Sequence, residues 1–204
     1  MRFASRVLFF LIILASIVFA QDDSKTMYFI NAGFSVPSAP SEFSDYWERG
    51  YSIGGGVVLP RSEQVHLLLG FIHSRFGFNG EKLMADQGYP NYGFQIDGGQ
   101  ASITSITADY KIFLSSRQNT ATPYLLAGTG LFHISTRDAT ISYQGQSESV
   151  SGSSETKIGF NAGGGLDIRL NPKMALTLGA RIIIGLTEGQ STQYFPLLVG
   201  LTFR

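Results

Sequence analysis

The sequence predicts an all-β protein, an eight-stranded antiparallel up-and-down barrel that crosses a membrane. Three observations favour this class: two long alternating segments joined by a tight turn, a low charged fraction, and connections that alternate between short and long. Charged residues make up 15% of the chain, whereas soluble domains average about 25%. The 204 residues are predicted to form one folded domain, because chains of this length rarely divide.

The most regular part of the sequence lies between residues 156 and 186. From Ile158 to Leu170 every second residue is apolar, alanine or glycine, and the residues between them are glycine, asparagine, aspartate or arginine. The pattern restarts after Asn171-Pro172. Such alternation indicates two strands, each with one oily and one polar face. Runs of about 11 to 15 residues exceed the ordinary soluble strand of roughly 5 to 6 residues and suit a tilted membrane strand.

The same alternation predicts six further strands elsewhere in the chain. Pro37 is predicted to end the first strand. The alternation becomes ambiguous at residues 73–78, near the end of the third strand, and apolar residues occupy both faces of the fifth, so the pattern leaves the phase open at both places. A bulge or emergence from the membrane would explain the first ambiguity. The eight predicted strands are 27–36, 50–59, 65–77, 100–114, 123–135, 158–170, 174–186 and 193–204.

The connections between these strands sort by length. Outer-membrane barrels have short turns at the periplasmic end and longer loops at the external end, and a soluble meander has no reason to sort its loops in this way. The order predicts both termini at the short-turn, periplasmic end, with irregular external loops opposite. The short connections are 60–64, 115–121 and 171–172, the long ones are 37–49, 78–99 and 136–155, and 187–192 is intermediate.

The N-terminus predicts secretion. Arg2 and Arg6 precede an apolar run over residues 7–19, and Val18-x-Ala20 offers small residues before Gln21. This pattern is typical of a signal peptide over 1–20, which leaves residues 21–204 as the barrel domain; a retained signal anchor is the alternative. The chain has no cysteine and a formal net charge of zero, which argues against disulfides, thiolate metal sites and nucleic-acid binding.

Three segments resemble a known family. They are TPYLLAGTGLF at 122–132, FNAGGGLDIRLNPKMALTLGAR at 160–181, and the terminal LLVGLTFR. Together they are similar to the small eight-stranded outer-membrane barrels of the OmpA/OmpX-like superfamily, in particular the outer membrane protein beta-barrel domain family. The resemblance implies an outer-membrane location, contact with outer-membrane lipid, and a terminal aromatic read by the barrel-assembly machinery. Phe203 matches that aromatic, although Arg204 follows it.

The polar faces of the strands are predicted to line the lumen. An eight-stranded barrel has an interior just wide enough to be filled by side chains, and opposite charges there are expected to pair because pairing offsets their desolvation. Lumen glycines are expected to leave room for these side chains. A gated ion path or proton relay is the functional alternative. The predicted ion network consists of Asp109, Lys111, Asp167, Arg169 and Arg181, with Asn161, Lys173 and Arg204 also predicted to point inward.

The leading function is a non-enzymatic, monomeric outer-membrane protein whose barrel is an anchor and whose external loops are available for an extracellular ligand or adhesion. No cofactor or metal is predicted, since the histidines show no metal-ligand spacing. Aromatics near strand ends are interpreted as an interfacial girdle. The girdle residues are Tyr28, Tyr51, Tyr110, Tyr124, Phe195 and Phe203, and the loop aromatics are Trp47, Tyr89, Tyr92 and Phe94.

Two other functions remain open from the sequence. His133 and Ser135 form a His-x-Ser that resembles that of outer-membrane lipid A deacylases, in which the histidine is the base for a serine nucleophile. Glu148, in a predicted loop, is the nearest downstream acid that could orient the histidine. The second alternative is a soluble lipocalin-like carrier, in which the oily faces would line the interior.

Overall fold

A computed structural model describes residues 26–89, 93–116, 119–186 and 191–204 of the chain. The predicted signal peptide lies outside these ranges. Eight strands close into one antiparallel barrel, which confirms the predicted fold class. In chain order the barrel strands are β1 (Met27–Ala39), β2 (Gly50–Pro60), β3 (Val65–Phe76), β5 (Ala101–Phe113), β6 (Ala121–Thr136), β9 (Ser154–Asn171), β10 (Met174–Leu186) and β11 (Ser191–Phe203); β4 (Gln95–Gly98), β7 (Ala139–Tyr143) and β8 (Gln146–Val150) lie outside the barrel wall.

The barrel closes with a defined stagger. Each barrel strand pairs with the barrel strands before and after it in the chain, and β1 pairs with β11 to close the wall. A row of paired residues that starts at Leu166 of β9 passes once round the wall through Ile53 and returns to β9 at Thr156, ten residues away. For eight strands this stagger corresponds to a tilt of about 40°.

The apolar face of each strand points outward, as predicted. Ile30, Phe34, Ile106, Phe160 and Val199 are each at least half exposed on the outer surface. A soluble carrier would bury these side chains and keep its polar faces in water. The lipocalin-like interpretation is therefore wrong, because the oily faces lie on the outside of the barrel.

The structure determines the two phases that the pattern left open. On β3, His66, Leu68, Ile72, Ser74 and Phe76 are all buried and share the inner face. On β6 the even-numbered residues from 122 to 132 point inward, so Leu125 is outside and Leu126 inside. No bulge interrupts the pairing of β3 with either neighbour, so the ambiguity arises because both faces carry apolar residues.

The first strand does not end at Pro37. It continues to Ala39 by pairing Pro37 with Tyr194 and Ala39 with Gln193 across an irregularity in the β1–β11 ladder. Pairing with β2 stops earlier, at Ser35 and Gly50. Proline has no N–H to donate, and it is tolerated here because this part of β1 has a partner on one side only.

The described residues of the three long connections contain helices and strands, so the prediction that these connections are irregular is wrong there. The first contains helix α1 (Ser41–Tyr46) and the second contains α2 (Gly80–Asp86) and β4. The third forms a hairpin from β7 and β8, which pairs with β4 in a three-stranded sheet. Gln144 and Gly145 both have positive φ, the requirement of a two-residue type I′ turn. No helix in the described ranges has the length and apolar character of a membrane span.

Candidate functional site

The lumen contains an ion pair that joins two strands that are not neighbours in the wall. Lys111 of β5 donates to both carboxylate oxygens of Asp167 of β9 at 2.7 Å. The Thr177 hydroxyl donates to the same carboxylate at 2.9 Å. Asp167 and Lys111 are both buried, so each charge depends on its partner for the interactions that water would otherwise supply.

A second group forms around Asp109. The carboxylate accepts hydrogen bonds from Asn161 at 2.8 Å, from Thr107 at 3.0 Å and from the Arg181 guanidinium at 3.3 Å. Asp109 and Asn161 are almost fully buried. Gly128 lies opposite, and a Cβ at that position would overlap Asp109 Oδ1. This agrees with the expectation that glycines on the polar face leave room for lumen charges.

The remaining predicted member of the ion network, Arg169, lines the same cavity as Lys111, Asp167 and Arg181. It is exposed at the short-turn end of β9. Together with Lys173 it lines the mouth of this cavity, whose volume is about 90 Å³ and whose deeper wall includes the other three residues. The structure thus brings four of the five predicted residues into two buried pairs and leaves Arg169 at the entrance.

An apolar cluster packs beside the Lys111–Asp167 pair, since Leu126 is the register partner of Lys111. It contains Val58, Leu68, Phe113, Tyr124 and Leu126. The Lys111 ammonium lies 3.9 Å from the centre of the Tyr124 ring and 5.1 Å from that of Phe113, within the range of cation–π attraction. Tyr124 is therefore a lumen residue, and its predicted place in the outer aromatic girdle is wrong.

A second apolar cluster fills the lumen at the long-loop end. Its central side chains come from four barrel strands and are each at most 1% exposed: Phe76, Phe132, Ile183 and Tyr194. Helix α1 inserts Phe43 above them, with its ring 5.1 Å from that of Phe76 in an edge-to-face arrangement. The expectation of a lumen lined by polar and small residues is wrong here, and sequence patterns give no indication that a loop residue completes the cluster.

A chain of hydroxyl groups connects this cluster to the barrel wall. Ser52 lies 2.5 Å from Ser35 and 2.6 Å from Ser74, measured between the side-chain oxygens, and Ser74 donates to the Tyr194 hydroxyl at 3.4 Å. All three serines are fully buried. Each satisfies the others' hydrogen-bonding needs where neither water nor backbone is available.

The long loops are tied to one another and to the barrel. The Trp47 indole donates to the Gly99 carbonyl at 3.0 Å and packs on Phe78, with the ring centres 5.0 Å apart. Phe94 stacks on Tyr143 of β7 at 4.4 Å and meets Tyr89 at 5.9 Å. Trp47 and Phe94 thus each pack against a neighbouring loop, and Tyr92 lies outside the described residues.

The His-x-Ser pair lies on the outer surface of β6. His133 is exposed, and its Nδ1 lies 2.9 Å from the Thr156 hydroxyl oxygen on the neighbouring strand. Glu148 is on strand β8 of the external sheet, where it pairs with Ile141. His66 is buried in the lumen against Phe113, and His73 is bonded to Thr104 on the outer face. No cluster of three or more metal-ligating side chains occurs within the described ranges.

Phe203 is the last residue of β11. It pairs with Tyr28 of β1 and with Met174 of β10, and its ring lies 6.2 Å from that of Tyr28. The following residue, Arg204, donates its backbone N–H to the Lys173 carbonyl at 3.1 Å. Phe203 thus stands where the first and last strands close the wall at the short-turn end.

A closed eight-stranded barrel with an apolar outer face and charged pairs in its lumen defines a transmembrane β-barrel of the outer-membrane type. The family model described as "Outer membrane protein beta-barrel domain" matches residues 7–203. The chain belongs to this family, and its location is the outer membrane. No curated protein matches the sequence.

Solved structures of outer-membrane proteins share the fold. Neisserial surface protein A (NspA) is 17% identical, with a TM-score of 0.60 over 90% of this chain and 99% of that chain. A major outer membrane protein from Thermus thermophilus is 10% identical, with a TM-score of 0.52 over 87% of this chain and 98% of that chain. At these identities the likeness extends to the fold alone.

Proposed function

We propose that this protein is a non-enzymatic, monomeric outer-membrane barrel that is closed by its own side chains and presents a rigid loop surface outside the cell. The observation that carries this proposal is the layering of the lumen, in which one apolar cluster at the long-loop end covers two buried charged groups and the other apolar cluster packs beside them. The barrel is the anchor in this proposal, and the loop surface is the part available to an extracellular ligand.

The layering supports a closed lumen. The cavity near the short-turn end measures about 90 Å³, which is the volume of about three water molecules at ~30 Å³ each. A hydrated ion would have to separate Lys111 from Asp167, and leaving either charge alone in the interior costs about 3–5 kcal/mol. Beyond that pair it would meet the Phe43 cluster, whose side chains, apart from the Tyr194 hydroxyl, offer no polar group to replace its water.

Contacts between loops support a surface that is already formed before a ligand arrives. Lys82 of α2 lies 3.8 Å from the Asp45 carboxylate of α1. The Asn79 side chain donates to Glu48 at 3.2 Å, and its backbone N–H donates to the Tyr46 carbonyl at 2.8 Å. A preformed surface loses less conformational entropy on binding, so adhesion to an extracellular partner is favoured.

The proposed orientation places the long-loop end outside and the short turns in the periplasm. It supposes that a signal peptide over 1–20 directs the chain to the periplasm and that residues 21–204 form the mature barrel. It also supposes that the barrel-assembly machinery reads the final strand at Phe203. The sorting of connection lengths supports this orientation.

Trypsin treatment of intact cells tests the orientation. Cleavage is expected after Lys82 and Arg137, which are exposed at the long-loop end, and not after Arg61, which is exposed in the turn between β2 and β3. Cleavage after Arg61 in intact cells would reverse the orientation. In planar lipid bilayers the purified protein is expected to give no conductance steps, and steady conductance would contradict a closed lumen.

A further inference from the structure

We propose that a groove on the outer wall at the long-loop end binds the phosphate group of a membrane lipid. This groove, called the rim groove below, has a volume of about 340 Å³. It combines two arginines with two exposed aromatic side chains. Its main lining residues are Phe34, Arg49, Tyr51, Arg75 and Gln100.

The strand register places these side chains side by side. Phe34 of β1 pairs with Tyr51 of β2, and Tyr51 pairs with Arg75 of β3. Directly paired residues project from the same face of a sheet with their Cβ atoms about 4.5–5.5 Å apart. Phe34 is 71% exposed and Tyr51 46% exposed, so this face is the outer one. Arg49 is exposed just before β2 begins.

Neither arginine guanidinium makes a hydrogen bond or an ion pair with any group in the part of the chain that the structure describes. The nearest acid in the sequence, Glu48, accepts a hydrogen bond from the Asn79 side chain instead. Two unpaired guanidinium groups at one groove favour a phosphate, since their planar N–H donors match its oxygens.

The surroundings favour a lipid phosphate over a soluble one. The groove is on the face that is continuous with the exposed apolar side chains of the barrel, and Phe34 and Tyr51 form its apolar side. Aromatic side chains in this position lie at the level of the headgroups in a membrane. An acyl chain can therefore follow the aromatics while the phosphate meets Arg49 and Arg75. In the orientation proposed above, the lipid of that leaflet is lipid A.

The test is a titration of the full-length mature protein in nonionic detergent with diphosphoryl lipid A and, separately, with phosphatidylglycerol, each followed by native mass spectrometry. The variant Arg49→Gln/Arg75→Gln is expected to bind at least about tenfold more weakly, since each charge-assisted hydrogen bond lost accounts for about that factor. Arg61→Gln/Lys173→Gln is the matched control. It removes two exposed positive charges at the opposite end of the barrel and is expected to bind like the unchanged protein.

Two comparison probes identify the part of the ligand that is recognised. Lipid A without its phosphates is expected to bind at least about tenfold more weakly, and inorganic phosphate is expected not to displace the bound lipid. Equal binding by Arg49→Gln/Arg75→Gln, or an equal loss in the control variant, would overturn the proposal. Full displacement by inorganic phosphate would show a soluble-anion site instead. Each variant is first shown to be folded by its faster migration on unboiled gels.

The identity of the lipid as lipid A rests on the proposed orientation, whereas the binding of a lipid phosphate does not. The titration is done in micelles, so it has the same outcome whichever end faces the cell exterior. If cell-surface proteolysis shows the opposite orientation and the titration succeeds with phosphatidylglycerol, the proposed phosphate site is kept. Only the membrane leaflet that supplies the lipid then changes. If the titration fails with both lipids, the groove proposal is rejected and the proposed function is unaffected.

Discussion

Lys111 on β5 is bonded to Asp167 on β9 across the lumen, although β6 lies between the two strands in the barrel wall. The two side chains are 6% and 11% exposed. Because the bond spans the interior, it constrains the width of the barrel as well as neutralising both charges.

Removing Lys111 should destabilise the barrel strongly. Lys111→Met leaves the Asp167 carboxylate buried without a cation, which costs about 3–5 kcal/mol of the free energy of unfolding. The double variant Lys111→Met/Asp167→Leu should recover most of that loss, because an apolar pair of similar volume avoids the desolvation of both charges. Urea unfolding in lipid vesicles, followed on unboiled gels, measures both. A loss below about 1 kcal/mol for the single variant would mean that the pair is solvated.

Gly128 should not tolerate a methyl group. In Gly128→Ala the new Cβ would overlap Asp109 Oδ1 and the Ala108 carbonyl oxygen, and we expect a loss of about 1–3 kcal/mol or more from overpacking. Gly185→Ala is the matched control, because its nearest neighbour would be Ile134 at an ordinary 3.5 Å. That variant should stay within about 0.5 kcal/mol of the unchanged protein. Equal stability of both variants in the same unfolding assay would show that Asp109 can move aside.

Phe43→Ala should release helix α1 from the barrel mouth. Truncating a buried phenylalanine costs about 3–5 kcal/mol, and a six-residue helix is too short to persist without its packing. Trp47 is the single tryptophan of the chain and lies 5.9 Å from the Phe43 ring, so its fluorescence reports on this segment. The Trp47 emission should shift to the red, and the indole ring should become more accessible to the quencher acrylamide. Glu42→Ala, an exposed change on the same helix, should leave the spectrum unchanged, and an identical spectrum for Phe43→Ala would show that α1 is held by other contacts.

Phe203→Ser should reduce delivery to the outer membrane more than it affects folding. If the assembly machinery reads the terminal aromatic, the amount of barrel in outer-membrane fractions should fall severalfold, while the purified variant still refolds into vesicles. Tyr28→Ser removes the ring that packs against Phe203 and keeps the terminal residue, so it controls for the loss of that contact. A similar fall for both variants would point to lost packing as the cause.

Alternation along the chain was sufficient for most of the barrel. A strand that meets lipid on one face and a packed lumen on the other needs apolar and polar residues in turn, and β9 and β10 follow that rule over almost their whole length. The pattern could not distinguish the inner from the outer face where both faces are apolar. On β3 and β6 the inner face carries Phe76 and Phe132, so the sequence could not show which side was which.

The candidate site was predictable in part for the same reason. A charged residue on the polar face of a membrane strand must point inward, and Asp109, Lys111, Asp167 and Arg181 do. Their pairing was not predictable, because it depends on how far the strands are staggered around the wall. Arg169 is also on the polar face of its strand, but it lies nearer the end of that strand, where it is exposed.

An eight-stranded barrel with an oily outer face follows from the sequence, because the side-chain alternation of a strand is visible in neighbouring residues alone. The groups that fill and cover the lumen become known only once the chain is folded. Phe43 reaches Phe76 from a helix more than thirty residues earlier in the chain, and Phe34, Tyr51 and Arg75 form the rim groove from three strands. Such contacts depend on the register and closure of the barrel, which bring together residues that are distant in the sequence.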